Sequence, residues 1–345
     1  MDDVALYRDL ALKLQYPMPD SPTFQEVLKR IVKPQEVPIV LLLPATAEDL
    51  AAKLGKDVKA TLESLVQRGV IFPTRKGYVL PKNVIQFYDS ASCAGPRFVD
   101  QAQKDLWREL HLGEFGQVWT DWLVRKGEPQ WRILPNTGAL EMSGIPKEQV
   151  LPSEDVRGII QRAQVIAQID CNCRYIMRGC QVDPEVCLQF NRNGEYQLSR
   201  GAGVRLSADE ALSRMDLSMK RGLVHLALNT RDDPPSLCSC CGDCCSIIWH
   251  LKEHGNLETG LAKSRYQAAV DSGKCDGCQV CIDRCIFDAI EMVKVPGSKR
   301  LKAQIDAEKC YGCGECVLTC NPRALSLKVI RPADYIFEPG RATFY

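Results

Sequence analysis

The chain has 345 residues, 45% of them apolar and 25% charged, enough for two or three packed domains and unlike a disordered, collagen-like or fibrous polypeptide. Basic and acidic residues nearly cancel, 44 against 43, so net charge gives no reason to expect nucleic acid or an anionic membrane. Cysteine is the outlier: of the 18, all but Cys93 lie between Cys171 and Cys320. Disulfide scaffolds of such density are short secreted domains, whereas this chain is long. It starts MDDVALYRDLALKLQY, acidic and amphipathic, without a basic segment followed by an apolar one. No apolar run approaches a membrane span; residues 39–43 are bracketed by Pro38 and Pro44. The expected location is cytoplasmic, where thiols stay reduced and grouped cysteines bind metal.

Residues 1–88 carry no cysteine. Thr46-Ala47-Glu48-Asp49 is a capping-box-like helix start, with Asp in the fourth place, and the helix stops at Gly55. A second helix, about 57–68, sets Val58, Leu62, Leu65 and Val66 on one face before Gly69 ends it. Residues 70–72 and 78–80 then flank 73–77 as a hairpin. Helix, turn, helix, hairpin resembles a winged helix. On DNA, that resemblance implies the second helix in the major groove, with Lys56, Lys59, Arg68, Arg75 and Lys76 as contacts. Asp57 and Glu63 dilute the helix, so docking on another protein is the preferred use and DNA the lesser one.

Residues 89–150, with Phe98, Trp107, Phe115, Trp119, Trp122 and Trp131, read as a helical, aromatic connector without chemistry. In residues 151–260, positions 152–155 open a helix and 165–169 form a strand leading into Cys171. Ser207-Ala208-Asp209-Glu210 caps another helix, and 222–228 form a second strand. The expected fold class is α+β and multidomain. A winged-helix-like module (1–88) and a connector (89–150) precede a cysteine-rich α/β metal-binding domain (151–260). A metal-binding domain with a C-terminal tail (261–345) completes the chain.

The last domain carries the strongest signal. Cys275, Cys278, Cys281 and Cys285 read C-x2-C-x2-C-x3-C, and Cys310, Cys313, Cys316 and Cys320 repeat the pattern 35 residues later. Val270-Asp271 and Lys274 match Ile305-Asp306 and Lys309, and Ala289-Ile290 matches Ala324-Leu325, so the segment is duplicated. A 4Fe–4S cube takes one thiolate per iron. Three cysteines spaced by two residues wrap one cube, and the fourth starts a short helix and points to the other. Gly277, Gly312 and Gly314 let backbone N–H groups approach sulfide, and Val280, Ile282, Ile286, Val317 and Leu318 restrict water. Residues 264–330 therefore resemble a bacterial dicluster ferredoxin domain. The resemblance implies one 4Fe–4S cluster on Cys275, Cys278, Cys281 and Cys320, and another on Cys310, Cys313, Cys316 and Cys285. Two features depart from the family: Ile286 and Asn321 stand where it has proline, and the loop through 296–300 is extended. Zinc sites draw C-x2-C pairs from separate elements, so eight cysteines in a duplicated row read as iron–sulfur.

Upstream, Cys171, Cys173, Cys180 and Cys187 are followed by Cys238, Cys240, Cys241, Cys244 and Cys245, five cysteines within eight residues. Both groups follow apolar stretches, so strands are expected to deliver them to one place. Free thiols this dense are chemically fragile, which argues for metal. One or two additional Fe–S clusters are expected, with zinc as the alternative and the grouping open. His250 and His254 are expected on a solvated helix face, His225 in the core, and Cys93 as a small buried residue.

The reading is an iron–sulfur electron-transfer protein, a subunit or dedicated partner of a larger redox enzyme, with no catalytic residue assigned. Its layout is similar to multi-cluster iron–sulfur proteins of anaerobes. Lys294, Lys299, Arg300 and Lys302 either steer an acidic redox partner or belong to a solvated turn. Two alternatives stay open: a redox-sensing winged-helix transcription regulator, and an oxidoreductase with its own substrate site in the middle domain. There is no G-x-G-x-x-G fingerprint and no Walker loop, so no flavin or nucleotide site is expected.

Overall fold

The computed structural model describes residues 3–125, 128–183 and 185–340; the last five residues of the expected tail lie outside the described residues. Helices and strands are interspersed in an α+β architecture. Helices Asp3–Lys13, Pro22–Ile31, Val37–Leu41, Ala47–Leu54 and Lys59–Gln67 build the N-terminal part. The Thr46 side chain accepts the Asp49 N–H, and Gly55 ends that helix at φ 64°, as the sequence predicts. Strands β1 (Phe72–Thr74) and β2 (Gly77–Val79) pair across Arg75-Lys76, a shorter turn than expected, and Ala45 bridges Tyr78.

Arg68, one of the expected DNA contacts, is not available for that role. Its guanidinium grips both Glu36 carboxylate oxygens at 2.9 Å and also the Ile31 carbonyl. Both side chains are largely buried, so breaking the pair would strand a charge. Lys56, Lys59, Arg75 and Lys76 remain exposed. The hairpin also docks on the rest of the chain, with the Phe72 ring 4.9 Å from that of Tyr196.

A seven-stranded sheet forms the middle. It comprises β3 (Trp131–Leu134), β4 (Ile166–Ile169), β5 (Cys187–Phe190), β6 (Val204–Arg205), β7 (Val224–Leu228), β8 (Ser236–Cys240) and β9 (Leu261–Ala262). Their order is β6-β4-β5-β8-β7-β3-β9, antiparallel except for β3 with β9. Residues 131–134, inside the stretch read as a connector, thus belong to the same sheet as the cysteine-rich strands.

Strand periodicity sorts the side chains between two faces. Leu188, Phe190, Ala227 and Leu237 pack on one side with Val156, Ile159, Ile160, Ala211 and Met215, from helices Val156–Arg162 and Ala208–Lys220. Cys187, Cys238 and Cys240 alternate to the other side, with Ile169, Leu226 and Leu228. There they meet Trp107, Phe115 and Trp119 of helices Gln101–Leu112 and Glu114–Arg125. The aromatic stretch is the cover of the cysteine face.

The C-terminal part is a pair of two-stranded ribbons, β10 (Tyr266–Val270) with β13 (Leu325–Val329), and β11 (Ile290–Val293) with β12 (Lys302–Ile305). Arg265 fastens it to the middle by a 2.8 Å ion pair with Glu154, which is 0% exposed and also accepts from the Tyr266 hydroxyl. Asn136 adds two more ties, its N–H to the Cys313 carbonyl and its Nδ2 to Glu315. Among the described residues, no helix is long and apolar enough to cross a membrane.

Candidate metal centres

The duplicated cysteines stand around two holes. Cys275, Cys278, Cys281 and Cys320 line one cavity, walled by Val270, Val280, Met292, Ala303 and Leu325. Cys285, Cys310, Cys313 and Cys316 line another, walled by Ala268, Phe287, Ile290 and Tyr311. Each cavity thus collects three cysteines from one loop and the fourth from the other. The backbone repeats the same offset. Ala303 N–H points at Cys275 Sγ and Ala268 N–H at Cys310 Sγ, both at 3.5 Å. Ala289 N–H donates to Cys285 Sγ at 3.4 Å and Ala324 N–H to Cys320 Sγ at 3.2 Å. Such N–H donors favour the more negative state of a sulfur ligand and so raise the potential of whatever it holds.

Close approach fixes the glycines. Gly277 and Gly312 have φ of 78° and 67°, and a Cβ on Gly312 would strike the Tyr266 carbonyl. Burial pushes the Cys281 thiol up to about 11 and holds Cys285, Cys313 and Cys316 above the usual thiol range. Metal must therefore displace protons here, and binding is proton-linked. Four soft sulfur donors per apolar cavity, with N–H groups aimed at the sulfurs, fit an iron–sulfur cube.

Residues 274–324 match the family model of the 4Fe-4S dicluster domain. No curated protein and no solved structure matches the chain. The matched domain and the cysteine content give the protein an iron–sulfur electron-transfer role. The two cavities of this dicluster domain differ in their surroundings. Cys278 is exposed, and Val280 beside it is 47% exposed. Cys313 and Cys316 lie against the middle of the chain, where Gly314 abuts Ala139. Glu315 is buried there, and burial raises its carboxyl to about 7 against the pull of Asn136 and Arg284.

The nine upstream cysteines do converge, but unequally. Thiol contacts run from Cys173 to Cys171, on to Cys187, Cys238 and Cys240, and end at Cys245. Cys245 in turn lies close enough to Cys173 to act on its charge, so the six form one group. The strands explain it: β4 runs into Cys171, Leu188 of β5 pairs with Leu237 of β8, and Cys238 and Cys240 share a face. Ser246 donates to Cys173 Sγ at 3.2 Å.

Cys180, Cys241 and Cys244 form a second group, their sulfurs all within 4.8 Å of one another and Cys241 3.7 Å from Cys180. In each group neutral thiols donate to an anionic one. Cys187 and Cys240 bring Cys238 down to about 6, and Cys244, with Arg174 nearby, brings Cys241 down to about 4.

Other expected residues fall as follows. His250 is not on a solvated face: it is fully buried, with Nε2 2.7 Å from His111 Nδ1 and the rings stacked. His254 is exposed, as expected, and the partner of His250 lies on another helix. His225 is a core residue with Nδ1 3.3 Å from Ser239 Oγ. Cys93 is buried and walls a cavity of about 200 Å³ with Lys104, Asp170, Tyr175 and Glu185. Arg174, not singled out in the sequence, is buried among the thiols.

Proposed function

We propose that the protein relays single electrons between an external redox partner and metal centres in its own middle region. Cys275, Cys278, Cys281 and Cys320 would hold one 4Fe–4S cluster, and Cys310, Cys313, Cys316 and Cys285 the other. When bound, such clusters supply one-electron storage, and the chain sets their potential through burial and N–H donors. The observation that carries the reading is the order in space. The first cavity opens to solvent at Cys278, the second is pressed on the middle region, and a Cβ placed on Gly242 of the Cys241–Cys244 turn would come within 3.5 Å of Ile286, next to Cys285. The apolar cluster around the middle cysteines includes Phe287 and Tyr311 and packs Cys285, Ile286 and Cys313 against itself. Nine further cysteines at the inner end would extend the path by one or two centres where they hold iron–sulfur clusters; zinc there would be structural and would end it.

At the outer end, exposed Val280 and Leu301 lie with Lys299 and Arg300, a surface suited to an acidic donor protein or a larger oxidoreductase in the cytoplasm. Lys302 is engaged by the Cys275 carbonyl. The test is rapid-mixing reduction of the anaerobic full-length protein by an acidic low-potential electron donor protein. Lys299→Glu with Arg300→Glu should slow reduction at low ionic strength about tenfold or more and leave reduction by dithionite unchanged. Equal rates for variant and wild type would remove this docking face.

A second reading, an oxidoreductase with its own substrate site, draws on the Lys104, Asp170 and Glu185 cavity beside Cys171. For a DNA-binding regulator, the pairing of Arg68 with Glu36 removes one basic contact and leaves four.

A further inference from the structure

We propose that Cys180, Cys241 and Cys244 hold a single divalent, thiophilic metal ion through three sulfurs, with the fourth position open to a small anion beside Arg174. The inference rests on the reading that the middle cysteines bind metal, and it separates these three from the other six.

Spacing is the first argument. Sulfurs bound to one tetrahedral ion at about 2.3 Å stand about 3.8 Å apart. Cys180 and Cys241 are 3.7 Å apart, and all three sulfurs lie within 4.8 Å of one another. Cube ligands sit on different irons and need more room, and the eight C-terminal cysteines are arranged around two separate cavities. Local chemistry is the second argument. Cys241-Gly242-Asp243-Cys244 is a C-x2-C turn, and Cys180 arrives from a separate segment. That segment is set by Arg178 at φ 56°, and by Gly179, whose missing side chain admits the Asp243 backbone.

The neighbouring sulfurs face elsewhere. Among the described residues, neither Cys240 nor Cys245 has its sulfur within 4.8 Å of all three, and Cys240 faces Cys238 and Cys245 instead. Three protein ligands and one open position is the pattern of reactive rather than structural sites.

Arg174 indicates what occupies the opening. It is 4% exposed, and its Nη2 donates to the Ser239 carbonyl at 3.1 Å. Among the described residues no oxygen or nitrogen accepts from its buried Nε and Nη1, and the guanidinium stands among the thiols of Cys171, Cys241, Cys180 and Cys240. A buried guanidinium with spare donors beside a metal–thiolate site recognises a small anion.

The experiment uses the anaerobic full-length protein. Metal and acid-labile sulfide are counted in wild type, Cys180→Ser and Cys244→Ser. The expected result is loss of one metal ion per chain, zinc or iron as the assay reports, with sulfide unchanged. Loss of several irons together with sulfide would place these cysteines on a cube, and no loss would leave them as packed thiols; either overturns the proposal. A second arm replaces the ion with cobalt(II) in the wild type and titrates cyanide against the visible ligand-field bands. Cyanide should shift them, and Arg174→Gln should retain cobalt but weaken cyanide binding at least about tenfold. Bands indifferent to cyanide would mean a closed site. The outcome is independent of the C-terminal clusters, whose absence would appear instead as missing sulfide in the wild type.

Discussion

The two cysteine-rich regions of this chain gather their thiols by opposite means. In residues 274–324 the ligands come from short loops, and each cavity, its N–H donors and its left-handed turns follow from local spacing repeated once. Between Cys171 and Cys245 the thiols are delivered by strands far apart in sequence, and they touch one another. A local loop carries its geometry wherever it is placed. A site on a sheet face depends on the register of β5 and β8 and on the helices covering it.

The largest expected break in that comparison comes from the loops themselves. Cys281→Ser or Cys316→Ser should each remove about four irons with their sulfide and loosen the C-terminal ribbons, because cluster binding and folding are coupled. The sheet should keep its far-ultraviolet circular dichroism in both variants. Next in size is the clamp between the regions. Arg265→Met leaves Glu154 buried without its cation and should cost about 3–5 kcal/mol in denaturant unfolding, and adding Glu154→Gln should return part of it.

A smaller effect sharpens the difference by pH. Burial lowers His250 to about 3 and holds His111 well below its usual value. Below about pH 6.5 the unfolded chain therefore binds protons that the folded one refuses. Stability is full above that pH and falls as the pH drops toward the folded values. At pH 5 His250 alone should cost about 2 kcal/mol relative to pH 7, and His250→Gln should flatten the urea midpoints by that amount. The smallest effect compares the repeats. Gln279 holds φ 69° where the second loop has Gly314 at 83°. Gln279→Gly should gain about 1 kcal/mol by relieving the left-handed turn. Gly314→Ala should lose more, since its Cβ would strike that of Ala139.

How far the molecule was legible in the sequence follows the same division. The cap at Thr46, the stop at Gly55, the capping box at Ser207 and the strand into Cys171 were readable because each is written in neighbouring residues. The two cavities are lined by the eight cysteines in the sets that the resemblance to dicluster ferredoxins implies. The six-and-three division upstream was not readable, since it is decided by which face of β8 each residue meets and by the turn at Arg178 and Gly179. The His111–His250 contact joins two helices across 139 residues, and no local pattern announces it. The pairing of Arg68 with Glu36 was hidden for the same reason, so a basic residue on a helix looked free when it was already engaged.

The account stands most directly on the iron and sulfide content of the anaerobically purified full-length chain, read together with its electron paramagnetic resonance after reduction. It predicts about eight irons and as many sulfides in the C-terminal cavities, with signals of two interacting reduced cubes, and about half of each lost on Cys278→Ser. A folded, colourless protein in which those eight cysteines hold zinc, or nothing, would contradict it.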